Sequence, residues 1–177
     1  MLFRTNPART GWDTGRRTEY HTMKAVLDTA APCNNRCVFC AARPAPPAAG
    51  AWHVHCLHAL EQLRGHGVRT VALAGGEPAI HPEFPALLRT MQRLGLRPGL
   101  FTNGRVFAYA NAARAYADAG PAHTEVLLCA DREYLHDRLV RARGAFKQTL
   151  AGIRNLARLL PQLTVAIPVT EHNADRL

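Results

Sequence analysis

The run APCNNRCVFCAARP, residues 31–44, carries three cysteines, Cys33, Cys37 and Cys40, separated by three residues and then by two. Thiolates so spaced hold metal ions or iron–sulfur clusters, and a structural site of either kind ordinarily takes four protein ligands. Three leave one position open, which is where a substrate or cofactor can bind. The blander alternative is a closed zinc site in which His53, His55 or Cys56 supplies the fourth ligand. Against it, no second CxxC stands opposite the first, as a zinc ribbon or finger would have. Cys56, near a helix face, and Cys129, at the end of an apolar strand, read as packing residues, because free cysteine is among the most buried residue types.

The elements that must position these thiols are legible as an alternation. Apolar, β-prone runs fall at 23–28 (MKAVLD), 70–74 (TVALA), 98–101 (PGLF), 125–129 (EVLLC) and 163–169 (LTVAIPV). Their continuous apolarity suits strands buried on both faces. Between them lie segments of helical period: Val54, Leu57, Leu60 and Leu63; Phe84, Leu87, Leu88, Met91 and Leu94; Val106, Ala110, Ala113 and Ala117; Phe146, Leu150, Ile153, Leu156 and Leu160. The proline- and alanine-rich stretch 42–52 reads as an extended loop. Such a β/α series predicts a parallel sheet covered by helices, with ligand sites at the carboxyl ends of the strands. The cysteines follow the first strand, AGGEPAIHP the second and FTNGRVF the third. All three motifs are therefore expected at one mouth.

Composition narrows the class. A chain of 177 residues, 47% hydrophobic and 20% charged, suits one domain with a proper core. Five cysteines, three of them within eight residues, fit a metal or cluster site better than a disulfide framework. No run approaches bilayer length and the start lacks the apolar core of a secretory signal, so a cytoplasmic protein without a membrane is expected. The net charge of +9 comes from basic residues spread along the whole chain, which needs no nucleic-acid partner to explain it.

CxxxCxxC after the first strand, GGEP after the second and TNG after the third resemble the radical S-adenosylmethionine (radical SAM) superfamily, from about Met23 to the end of the chain. The resemblance implies an α/β partial (β/α) parallel barrel of the radical SAM type and a 4Fe-4S cluster on Cys33, Cys37 and Cys40. It also implies S-adenosyl-L-methionine bound to the unique iron and cleaved reductively to a deoxyadenosyl radical, which abstracts hydrogen from a substrate. By the same resemblance, Phe39 lies against the adenine region, Gly75, Gly76 and Glu77 receive the amino group of SAM, and Thr102 and Asn103 lie near the cofactor. After the fourth strand many members have serine followed two residues later by aspartate. This chain has LCAD, so Cys129 replaces the serine and Asp131 keeps a carboxylate for the ribose hydroxyls. Arg138, Arg141, Arg143 and Lys147 could meet an anionic group, although a solvated helix start accounts for them, and His81 and His136 read as loop histidines near the mouth.

The implied partners are a peptide or small-molecule substrate and an electron donor such as a flavodoxin or ferredoxin. Residues 1–20 are expected to be a flexible basic segment and 21–177 the radical SAM core. With about five strands visible and the sixth of the usual barrel missing, an apolar flank and an unpaired edge are expected, to be covered by a partner or a second copy. Two rival readings stand beside the enzyme: a zinc-bearing nucleic-acid-binding module, and an inactive fragment that binds SAM without turnover.

Overall fold

The structure is a computed structural model that describes residues 24–40 and 51–174. In chain order it runs β1 (Lys24–Asp28), α1 (Trp52–Gly65), β2 (Thr70–Ala74), α2 (Phe84–Arg93), β3 (Arg97–Thr102), α3 (Ala110–Ala117), β4 (His123–Leu127), α4 (Glu133–Val140), α5 (Ala145–Ala157) and β5 (Thr164–Ala166). Short 3-10 turns occupy Pro78–Ile80 and Arg105–Ala108. The strands form one parallel sheet in the order β1-β2-β3-β4-β5, so each β/α unit docks beside the one before it. The expected basic segment and most of the expected loop at 42–52 lie outside the described residues; Trp52, placed in that loop, instead opens α1.

The sheet buries one face against the helices. Leu27, Val71, Leu73, Leu100 and Val126 point to that side and pack with Leu60, Leu63, Leu87, Met91 and Leu156. Strand side chains alternate, so the opposite face carries Val26, Ala72, Gly99, Phe101 and Glu125. On α2 the predicted stripe holds, with Phe84, Leu87, Leu88 and Met91 buried.

Three other helices differ from the periodic reading. On α1, Val54 is exposed and the core face is Trp52, Cys56, Ala59, Leu60 and Leu63. The helix expected from Val106 onward breaks at Tyr109, which is extended (φ −83°, ψ 118°). There the Asn155 side-chain amide donates to the carbonyls of Phe107 and Ala108, at 2.9 and 3.1 Å, and competes for acceptors that a continuous helix would use. On α5 the buried stripe is Ala145, Thr149, Gly152 and Leu156, one position round from the large residues. Small residues sit there because the helix approaches the Asn103-Gly104 backbone closely: a Cβ on Gly152 would lie 2.1 Å from the Gly104 carbonyl oxygen. The fourth strand is also shifted, ending at Leu127, so Cys129 is buried in the loop that follows rather than at a strand end.

Candidate active site

The cysteine loop is fixed by backbone and side-chain bonds before any ligand is considered. The N–H groups of Arg36 and Val38 donate to Val140 and Leu139 carbonyls at the end of α4, both at 2.9 Å, and Cys40 N–H donates to Cys37 O at 3.2 Å. Asn103 Nδ2 donates to Asn34 Oδ1 at 2.7 Å and stands 4.0 Å from Cys33 Sγ. Arg105 ties the same loop to α5: its guanidinium donates to Asn34 O, to Asn35 Oδ1 at 2.7 Å and, through Nε, to Gln148 Oε1 at 2.7 Å. Sequence reasoning missed Arg105. Its only signal was adjacency to the TNG turn, because an arginine that follows a turn is ordinarily a solvated charge.

The glycine motif interlocks with this loop. Glu77 N–H donates to Pro32 O at 3.0 Å. Gly76 has φ +63°, and a Cβ there would fall 1.8 Å from the Ala31 carbonyl oxygen, so a side chain has no room between the two loops. Glu77 itself is fully buried. Its Oε1 accepts from Thr102 Oγ1 at 2.8 Å and Ala79 N at 3.3 Å, and its Oε2 accepts from Asn103 N at 2.6 Å. Burial pushes this carboxyl up to about 7, against the opposing pull of those three donors and of Arg105.

A cavity of about 640 Å³ opens at the carboxyl end of the sheet, within the ~300–1,000 Å³ range of small-molecule sites. Cys33, Cys37, Cys40, Phe39, Gly75, Gly76, Thr102 and Asn103 all line it, together with Arg36, Phe101, Glu125 and Leu127. The three motifs thus meet at one mouth. Two of the residues carried over from the resemblance stand elsewhere. Glu77 lies beneath the cavity and braces the Thr102-Asn103 turn, and Asp131 lies off the wall, half-exposed and paired with Arg132 Nε at 3.1 Å. Because β4 ends two residues early, Glu125 and Leu127 present themselves where the strand reading placed Cys129 and Asp131.

The thiols divide into two sets. Cys33 and Cys40 are exposed and Cys37 half-buried. Burial pushes Cys37 up to about 11, and the charges of Cys33 and Cys40 add to the shift, so the three sulfurs lie close enough to feel one another. Cys33 is raised as well, chiefly by burial. A shared polycation would relieve this mutual repulsion, and loading it must release protons. Cys56 and Cys129 are wholly buried and pushed up to about 12 by burial, which keeps them as inert thiols. Among the described residues no three His, Cys, Asp or Glu side chains surround a point as one metal ion would require. Three thiols on one cavity wall are a donor set that fits an iron–sulfur cube, which is held by cysteine thiolates. His53 turns away to Thr90 Oγ1 at 3.4 Å. His81 lies in a loop as expected, half-buried and stacked on Trp52 with ring centroids 3.9 Å apart, whereas His136 is buried within α4, its Nδ1 accepting from Cys129 N–H at 3.2 Å, and is not the loop histidine expected. Arg138, Arg141, Arg143 and Lys147 are exposed, Lys147 paired with Glu133 at 3.0 Å.

This combination of a parallel β/α sheet with a three-cysteine loop, a glycine pair and a Thr-Asn-Gly turn at its carboxyl end defines a class. Residues 30–176 match the radical SAM superfamily, and the chain belongs to it. Members of this superfamily are enzymes that typically use a 4Fe-4S cluster and S-adenosylmethionine. The AdoMet-dependent heme synthase of Methanosarcina barkeri is 28% identical over 152 residues, 85% of this chain and 43% of that protein. The sporulation killing factor maturation protein SkfB of Bacillus subtilis is 24% identical over 168 residues, 92% of this chain and 40% of its own length. This chain therefore spans less than half of these relatives. Among solved structures, Streptococcus suis SuiB shares the fold with a TM-score of 0.66 at 18% identity, over 85% of this chain and 35% of SuiB. SuiB has also been solved bound to S-adenosylmethionine and to its precursor peptide SuiA. Among the described residues no helix is long and apolar enough to cross a membrane.

Proposed function

We propose that this chain is the catalytic core of a radical SAM enzyme, holding a 4Fe-4S cluster on Cys33, Cys37 and Cys40 and S-adenosylmethionine in the adjoining cavity. The observation that carries this reading is the convergence of the three thiols with Gly75, Gly76, Thr102 and Asn103 on one cavity whose walls are already cross-linked. When bound, the cluster supplies the electron for reductive cleavage of S-adenosylmethionine, and the hydrogen abstraction that follows is the cofactor's chemistry. The protein's part is position and exclusion. Asn34, Asn103 and Arg105 hold the thiol loop, Phe39 offers its ring as an apolar wall, and Gly75 and Gly76, which have no room for a Cβ against Asp28 and Ala31, bring their backbone to the cavity wall where the cofactor's polar end can meet it. Glu77 serves the site through Thr102 and Asn103, which it fixes from below. A peptide is the favoured substrate class, since SuiB was solved with a precursor peptide and SkfB is a maturation protein for a killing factor. The electron would come from a flavodoxin- or ferredoxin-type donor.

Anaerobic reconstitution tests the proposal. The wild-type chain should load about four irons and four sulfides, and Cys33→Ala, Cys37→Ala and Cys40→Ala should each abolish loading while Cys56→Ala and Cys129→Ala retain it. Dithionite reduction of the loaded protein with S-adenosylmethionine should release deoxyadenosine and methionine. Loading that depends on Cys56, or a loaded protein that neither binds nor cleaves S-adenosylmethionine, defeats the assignment.

A further inference from the structure

We propose that the cavity selects substrates bearing a cationic group, an amine or guanidinium of the kind lysine and arginine side chains carry, and that Glu125 is the residue that holds it. This rests on the radical SAM reading above and names the substrate class for the same site.

The strand register places the charges. Asp28 pairs with Ala74, Phe101 with Glu125, and Glu125 with Thr164, so these residues form one row across the concave face at the mouth. The row beneath holds Val26, Ala72, Gly99 and His123, and Lys24, Thr70 and Arg97 form the row at the far end. In a chain of net charge +9, the face next to the thiols thus carries carboxylates, and its lysine and arginine lie two rows away. Asp28 is committed locally, its Oδ1 accepting from Ala30 N at 2.9 Å. Glu125 is not. Its side chain is 30% exposed on the cavity wall, and among the described residues it accepts no hydrogen bond; the imidazole Nε2 of His123 stands 3.8 Å away, beyond hydrogen-bond distance and an ion-pair partner only when protonated.

A partly buried carboxylate that accepts no hydrogen bond keeps its lone pairs available, which is a ready condition for binding a cation. Phe101 stands beside it in register and on the same wall, with its ring edge-on to His123 at 5.8 Å, and so offers apolar surface to the stem of a long cationic side chain. The small Ala72 and Gly99 keep the row beneath shallow. Among the described lining residues Arg36, from the thiol loop, is the basic one.

The experiment uses Nα-acetyl-lysine N-methylamide and its uncharged norleucine counterpart as probes, titrated by NMR into the cluster-loaded protein with S-adenosylmethionine present. The lysine probe should bind about tenfold or more tightly than the norleucine probe. Glu125→Gln should erase that preference, Glu125→Asp should retain part of it, and neither should change affinity for S-adenosylmethionine or iron content. No preference in the wild type, a preference that survives Glu125→Gln, or a loss of S-adenosylmethionine binding parallel to the loss of the lysine probe overturns the proposal, the last by assigning Glu125 to the cofactor. Iron content and S-adenosylmethionine binding of the wild type are read on the same samples. Their failure would strike the radical SAM reading, whereas the lysine preference alone strikes or sustains Glu125.

Discussion

Glu77 shows how one residue can be legible in type and not in direction. A glutamate after two glycines in a strand-end loop signals a site, but nothing in the string GGEP states whether its carboxylate faces the ligand or the protein. The structure turns it inward, where three donors saturate it. Burial is the larger effect and raises the carboxyl from 4.5 to about 7. A raised folded-state value means that the native state binds the extra proton between those limits, so this group's contribution is fully present below about 4.5 and is lost as pH rises through about 7. Wild-type stability should therefore fall relative to that of Glu77→Gln across this window, by up to roughly 3 kcal/mol, in urea unfolding at a series of pH values. Thr102→Val removes one of the donors that favour ionised Glu77 and also orphans the Gly104 N–H, which donates to Thr102 Oγ1 at 3.0 Å. It should cost about 1–3 kcal/mol and carry the pH-dependent loss to higher pH, read in the same titration.

At the scale of elements, packing overrules propensity where α5 meets the Thr-Asn-Gly turn. Alanine is a better helix residue than glycine by about 1 kcal/mol, so Gly152→Ala would stabilise an isolated helix. Here the new methyl meets the Gly104 carbonyl oxygen, a backbone atom that no rotamer change can move. The substitution should destabilise the protein by about 1–3 kcal/mol and loosen the Asn103 turn, seen as a lower urea midpoint and faster amide exchange at Asn103. The same contact explains which elements the sequence revealed. Strand existence and order were readable, and β2 falls where its run TVALA predicts, because both faces of a central strand must be apolar. The stripe of α5 was misjudged because large residues draw the eye, while the closest packing is made by Ala145, Thr149 and Gly152. β4 was placed two residues late for a related reason. His123 and Thr124 look unlike a strand, yet they pair with Gly99 and Leu100 in the ladder, and the apolar Leu128 and Cys129 that follow Leu127 leave it. Convergence of the motifs was legible from topology alone. The cross-links that hold them, Arg105 above all, depend on side-chain reach, which spacing does not encode.

For the whole molecule, the sheet has an edge at β5 whose helix-side face is open. Val165, Ile167 and Val169 alternate along and beyond the strand and are 42, 45 and 67% exposed. Among the described residues β5 has no strand on its outer side, and a strand edge beside an apolar stripe is a pairing and association hazard. The chain should self-associate in light scattering at raised concentration, and Ile167→Lys with Val169→Lys should reduce this without altering iron loading. The hydrogen bonds from Arg36 and Val38 to the end of α4, and from Arg105 to Gln148 on α5, also set a timetable for biogenesis. The thiols leave the ribosome early, but the segments that clamp their loop emerge a hundred residues later. A cluster would therefore be held only once α4 and α5 have emerged, and until then the three cysteines are open to oxidation and to stray metals. In ribosome-bound chains of increasing length supplied anaerobically with iron and sulfide, maleimide labelling of Cys33, Cys37 and Cys40 should persist until α4 and α5 have emerged, then fall as the thiols take up the cluster. The cell must keep this nascent segment reduced through the hundred or so residues of synthesis that separate the thiols from their clamp.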